Sequence, residues 1–168
     1  KIEGATDGVG ELALSESIRS DIAALKQGSR NVKNGTALLN LAEGALNELS
    51  GILLRLRSLA SQNANGTLAA TERETVNLEY QASLAEIDRI ASSTEFNGTF
   101  LLKGALSKSA TEHIVLQAGV DSKSVNQIDL NELANLDDVS TSSLGLKGSE
   151  ITTQGSAFLA LNDLTNAI

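Results

Sequence analysis

Counting in sevens from Ile18 meets Ile18, Leu25, Val32, Leu39, Leu46, Leu53 and Ala60, all apolar. A second row three residues on reads Asp21, Gly28, Gly35, Ala42, Leu49, Leu56 and Asn63, running from small to large between polar ends. Rows offset by three and repeating by seven share one face of an α-helix, as the a and d positions of a heptad do. No proline interrupts the run. The pattern predicts a continuous helix over residues 11–63, roughly 80 Å long at 1.5 Å per residue. That length exceeds the needs of a compact domain and points to a rod or an elongated helical bundle.

Four glycines in the run oppose this reading: Gly28, Gly35, Gly44 and Gly51. Each costs up to about 1 kcal/mol relative to Ala inside a helix, and Asn34-Gly35 is a common turn pair. The alternative is two or three shorter helices. The single helix is preferred because the heptad phase passes through Gly28 and Gly35 without a shift. Both lie on the inner face, where a missing side chain admits another backbone closely.

The chain has 168 residues, enough for one domain with a real core. It lacks Cys, Pro, Trp and Met, and its aromatic residues are Tyr80, Phe96, Phe100 and Phe158. A Leu, Ile, Val and Ala core suits close helix packing. The net charge of −8 argues against nonspecific nucleic-acid binding, which needs clustered Lys and Arg. Without Cys there are no disulfides, thiolate chemistry or Cys-based zinc sites. No apolar run approaches the ~20 residues of a membrane span, and no signal-peptide pattern opens the chain. A first residue Lys1, no Met, and a helical pattern cut at Ile168 lead us to expect a fragment or a processed product.

Residues 1–10 form a Gly-rich lead-in, with Thr6 or Asp7 as a helix cap. Asn63 to Thr67 ends the long helix, with Gly66 expected in the left-handed conformation. Thr71 to Glu74 (TERE) reads as a capping box for a second helix over 69–92, striped by Val76, Tyr80, Leu84, Ile87 and Ala91. The short connection makes the two helices antiparallel. Across 93–150 we expect a β-hairpin region. Asn97-Gly98 sits in a turn with a short extended segment, and His113–Ala118 and Ser124–Leu130 form two strands around a Gly119–Lys123 loop. A short helix or turn is expected at 131–136 in an otherwise irregular stretch. Thr152 or Thr153 caps a return helix over 152–168, carrying Phe158, Leu161, Thr165 and Ile168. The fold class is mainly α with a small β-hairpin region, one elongated domain over 1–168.

Asn-Gly-Thr occurs at 34–36, 65–67 and 97–99. The flanking sequences do not match, so we do not read a repeat. The motif fits an N-glycosylation acceptor, but two copies fall where turns are expected anyway. Residues able to carry catalysis are sparse. His113 is the only histidine and reads as a surface residue beside Glu112. Glu86 and Asp88, two apart on a helix, point in different directions and read as a solvated face. We identify no catalytic, cofactor-binding or metal site. The stretch Gly51–Gln62, GILLRLRSLASQ, carries more Leu and Ile than one stripe holds, with Arg55 and Arg57 between them. Apolar residues interleaved with Arg fit an interface. They equally fit a wider core covered by the second helix.

Several segments together resemble bacterial flagellin. They are Ser29-Arg30-Asn31, Ala42 to Leu46 (AEGAL), Leu56 to Gln62 (LRSLASQ), and Glu86 to Ile90 (EIDRI) followed by Phe96-Asn97-Gly98. Leu116 to Gly119 (LQAG), Ser143 to Leu146 (SLGL) and Gln154 to Ile168 extend the match to nearly the whole chain. The resemblance implies the flagellin D1 core, without the D0 segments of the inner tube and without large outer domains. It implies a structural subunit of the flagellar filament, located outside the cell and exported by the flagellar type III apparatus. The implied partners are neighbouring copies of itself, a flagellar export chaperone, the filament cap and the vertebrate innate receptor Toll-like receptor 5 (TLR5). Motif matching places the receptor surface on Arg55, Leu59 and Glu79. The same surface serves subunit packing in the family, and with Arg57 these are the expected subunit-interface residues. Ser58, where the family has Glu, and Ser83, where it often has Arg, depart from the receptor pattern. Alternatives are a hook–filament junction protein or a flagellin-derived cell-surface adhesin. The adhesin reading needs exposed aromatic rings, and the chain has few.

Overall fold

The computed structural model describes the backbone of residues 5–167 and the side chains of residues 10–167. A single helix, α1, runs from Ala5 to Asn63, about 90 Å at 1.5 Å per residue. It starts earlier than expected, with the backbone of Thr6 and Asp7 already inside the helical run, and the side chains of these two expected caps lie outside the described residues. The antiparallel α2 (Ala70–Ser93) and the return helix α4 (Gln154–Ala167) pack on its C-terminal part. Between them lie three two-stranded antiparallel pairs. Strand β1 (Glu95–Phe96) pairs with β2 (Thr99–Phe100), β3 (Lys103–Leu106) with β6 (Leu136–Asp138), and β4 (Val115–Gln117) with β5 (Gln127–Asp129). A 3-10 turn at Ser124–Asn126 precedes β5, and a short helix, α3 (Leu130–Ala134), separates β5 from β6. The second expected strand is thus half turn and half strand, and 131–150 contains a strand the sequence reading missed.

The two heptad rows part company in the structure. The d row is buried from Gly28 through Gly35, Ala42, Leu49 and Leu56 to Asn63. The a row is buried only at Leu53 and Ala60, while Ile18 and Leu25 are 49% and 52% exposed. Ile18, Ile22 and Leu25 are all exposed, so this outer part of the stripe meets solvent. The small d-row residues match what lies against them. A Cβ on Gly28 would overlap the Ala118 backbone, and one on Gly35 would overlap the Leu116 side chain. Between them Asn31 donates from Nδ2 to the Gln117 carbonyl at 2.9 Å. Gly28, Asn31 and Gly35 therefore form a seat for β4, and the close approach expected at the two glycines is made by this strand. Gly44 and Gly51 are exposed, with nothing within 4 Å of an added Cβ.

Two cores sit along α1. The larger joins Leu49, Leu53, Leu56, Leu59 and Ala60 to Tyr80, Leu84, Ile87 and Ile90 of α2 and to Ala157, Ala160 and Leu164 of α4. The α4 stripe is one position off the expected one: Phe158 is 53% exposed, and Ile168 lies outside the described residues. The smaller core gathers Leu38 and Ala42 with Leu101, Leu106 and Leu130 under the strands. The β1–β2 turn has Asn97 at φ 50° and Gly98 at φ 84°, the two positive angles a tight two-residue hairpin requires.

The end of α1 is built differently from expectation. Gly66 is not among the residues with positive φ. Arg73, buried inside α2, reaches back instead: Nη1 donates to the Asn63 carbonyl, and Nη2 to that of Asn65 at 2.7 Å. Gln154 Nε2 donates to the Ala64 carbonyl at 2.9 Å. These groups satisfy carbonyls a helix end leaves unpaired, and the guanidinium complements the negative end of the helix dipole. The capping box at 71–74 also shifts. Helix α2 begins at Ala70, and the Ala69 amide donates to the Glu72 carboxylate at 3.0 Å. At α4 the expectation of Thr153 is met, since its Oγ1 accepts from the Ser156 amide at 3.1 Å.

Candidate assembly interface

Of the residues the sequence singles out, Arg55 and Glu79 come together. Arg55 Nε donates to Glu79 Oε1 at 2.9 Å, and Nη2 donates to the same oxygen. The pair links α1 to α2, and its two side chains are 56% and 50% exposed. Ser83 Oγ donates to the Glu79 carbonyl at 2.9 Å, one turn along. Arg57 is exposed and enters no ion pair among the described residues. Leu59 does not belong with them. It is 2% exposed within the α1–α2–α4 core, because residues 52–60 of α1 are flanked by two helices and the inner face is wider than an a/d seam. The apolar residue that this stretch does present to solvent is Leu54, 57% exposed.

Other large apolar side chains are also exposed on the shorter helices. Leu78, next to Glu79, is 67% exposed, and Phe158 and Leu159 on α4 are 53% and 66% exposed. Leu78 falls off the α2 stripe, and an apolar residue out of helical phase was the available signal. Exposed Leu54, Leu78 and Arg57 and the Arg55–Glu79 pair are residue types suited to protein contact.

The α2 face turned toward 139–151 is polar and specific. Asp88 accepts from the Thr141 amide and from Thr141 Oγ1, both at 2.8 Å. Asn77 Oδ1 accepts from the Ile151 amide at 2.9 Å, and Gln81 Nε2 donates to the Ser149 carbonyl at 2.8 Å. Tyr80 OH lies 2.9 Å from Ser149 Oγ; burial pushes its phenol above the ordinary value. Asp88 is therefore a strap for the irregular segment while remaining exposed. Glu86 does point elsewhere, pairing with Arg89. In the β region His113 Nδ1 lies 2.6 Å from Asp129 Oδ2, and Nε2 lies 3.3 Å from the Lys108 carbonyl. The Asp129 hydrogen bond raises the His113 pKa, and the same bond lowers that of Asp129. Among the described residues no cluster of three or more His, Asp or Glu is placed to hold a metal.

This is a mainly helical protein built on one long helix, with two shorter helices and three small antiparallel strand pairs beside it. The bacterial flagellin N-terminal helical region matches residues 1–107. The flagellar filament 30.7 kDa core protein of Treponema maltophilum is 35% identical over 162 residues, 96% of this chain and 54% of that protein. A flagellin of Halalkalibacterium halodurans is 35% identical over 162 residues, 96% of this chain and 56% of that protein. The crystal structure of Bacillus cereus flagellin superposes with a TM-score of 0.64 at 31% identity, covering 82% of this chain and 74% of that one. The chain belongs to the bacterial flagellin family. It spans about half the length of the curated relatives named here.

Proposed function

We propose that this chain is the helical core of a structural subunit that polymerises into the bacterial flagellar filament. The observation carrying the proposal is flagellin-family sequence and fold along almost the whole chain. Relatives named flagellin and filament core protein favour this over a hook–filament junction protein or an adhesin. Contact is made head to tail between identical subunits, so it does not close and yields a helical polymer. Arg57, Leu54 and Leu78 form part of the contact surface, and the Arg55–Glu79 pair holds α1 and α2 in register behind it. Export runs through the flagellar type III apparatus, with an export chaperone and the filament cap as further partners. No large outer domain is inserted between the strands and α4.

The test replaces the equivalent segment of the Halalkalibacterium flagellin with residues 1–168 and examines the product by electron microscopy. Filaments are expected. A soluble monomer under conditions that polymerise the parent removes the proposal.

Recognition by Toll-like receptor 5 is a second reading, favoured by the exposed Arg55–Glu79 pair. Burial of Leu59 and the serines at 58 and 83 weigh against it. A reporter-cell assay decides it. A wild-type response abolished by Arg55→Ala supports recognition, and no wild-type response removes it.

A further inference from the structure

The three Asn-Gly-Thr copies share one local sequence but occupy three backbone settings. Asn-Gly is chemically labile because glycine leaves its own amide nitrogen open. That nitrogen, on losing its proton, attacks the Asn side-chain carbonyl carbon. A tetrahedral oxyanion forms, the bond from that carbon to the amide nitrogen of the Asn side chain breaks, and ammonia leaves. The resulting succinimide is opened by water at either carbonyl, giving aspartate or isoaspartate. The net change is gain of water and loss of ammonia, and no other reagent is needed.

The copy at 34–36 lies inside α1, where the helix ladder engages the Gly35 amide. Gly35 is also packed against Leu116. The copy at 97–99 is pinned by the β1–β2 pairing, Glu95 with Phe100 and Phe96 with Thr99. Among the described residues no donor to the Asn97 side-chain oxygen is found. The pair at 97–98 is itself exposed and in a turn, so what sets the copy at 65–67 apart is the contacts its side-chain oxygen accepts. The 65–67 copy is exposed, it lies outside regular structure, and the Gly66 amide donates to no group among the described residues. Asn65 Oδ1 accepts from the Thr67 amide at 3.1 Å and from Thr67 Oγ1 at 3.0 Å. The hydrogen-bonded ring closed by the amide contact encircles the Gly66 peptide and folds the Asn65 side chain back over it. Two donors then aim at the oxygen on which negative charge develops. Arg73 holds the Asn65 backbone carbonyl at 2.7 Å and keeps the turn in place.

We propose that Asn65 is a self-deamidation site, with the Thr67 amide and hydroxyl as its oxyanion donors. The product places a new carboxylate beside the Arg73 guanidinium, at the joint between α1 and α2.

The experiment incubates the native protein at mildly alkaline pH and follows the three sites by tryptic peptide mass spectrometry. Cleavage after Lys33, Arg55, Arg57, Arg73, Arg89 and Lys103 puts them on separate peptides. Asn65 is expected to react about tenfold faster than Asn34 or Asn97. This is less than the ~100-fold of an enzymic oxyanion donor, because the site is open to water. In denaturant the three rates should converge, since the local sequence is the same. Thr67→Val keeps the amide, removes the hydroxyl, and is expected to slow Asn65 several-fold with the helical circular dichroism signal unchanged. Equal native rates, a faster Asn97, or a Thr67→Val rate equal to wild type overturns the proposal.

Discussion

Arg73 shows how a single charged side chain can sit 8% exposed in an α-helix and stabilise the fold. Its guanidinium ends α1 from inside α2, and the Asn63 amide returns the contact by donating to the Arg73 and Ile151 carbonyls at 2.9 and 2.8 Å. Removing it strands two carbonyls of the helix end. Arg73→Ala is therefore expected to lower unfolding free energy by about 3 kcal/mol, measured by urea denaturation. Arg55→Ala removes a solvent-exposed pair and should cost less than about 1 kcal/mol in the same measurement. His113 adds a pH dependence. Its folded pKa is raised, so its bond to Asp129 stabilises fully below about pH 6.5, the unfolded value. That contribution is lost as pH rises through the folded value. Asp129 is lowered, so its share is present above its unfolded value, about pH 3.9, and is lost as pH falls through the folded one. The thermal stability gap between wild type and His113→Gln should be widest between about pH 4 and 6.5 and should shrink at alkaline pH. A gap that grows with pH contradicts the assignment.

At the scale of the element, α1 tolerates Gly28, Gly35, Gly44 and Gly51 for two different reasons. Gly28 and Gly35 are replaced by contact, because β4 lies where their side chains would be. Gly28→Ala should destabilise by about 1–3 kcal/mol through overlap with the Ala118 backbone. Gly44 faces solvent with nothing near an added Cβ, so Gly44→Ala should stabilise by up to about 1 kcal/mol. Opposite signs for the same substitution on one helix, read by denaturant midpoint, test whether the d row is a docking seat. Asn131 serves the strands as Asn31 serves β4. Its Nδ2 donates to the Ala105 and Ser107 carbonyls at 2.9 and 2.7 Å, and its Oδ1 accepts from the Ile114 amide at 2.8 Å. One buried amide thus ties three segments that share no hydrophobic pattern.

Across the whole molecule, core and exposed positions alternate within one stretch, and the proposed contact role falls on the exposed ones. Leu59 is core, while Leu54 and Arg57 face outward. Leu59→Ala should therefore cost about 2–5 kcal/mol of stability. Leu54→Glu should change stability by no more than about 0.5 kcal/mol and yet block filament formation in the Halalkalibacterium chimera. Sedimentation of polymer alongside denaturant unfolding separates the two. If Leu54→Glu polymerises normally, this face is not the subunit contact.

Much of this architecture was legible in the sequence. The unbroken heptad phase specified one long helix, since backbone periodicity is a local property that glycine weakens without shifting. The α2 stripe and the Asn97-Gly98 turn were legible for the same reason. The motif order from Ser29 to Gly98 carried the flagellin resemblance. Whatever depended on a distant partner was not legible. Only the tertiary structure decided that Arg73 ends α1, that Asp88 straps Thr141, that β3 pairs with β6, and that Leu59 turns inward while Leu54 stays outside. Each is a contact between segments far apart in the sequence or in different elements. A residue's own neighbours record its propensity; which surface covers it is set by the packing of the other helices and strands.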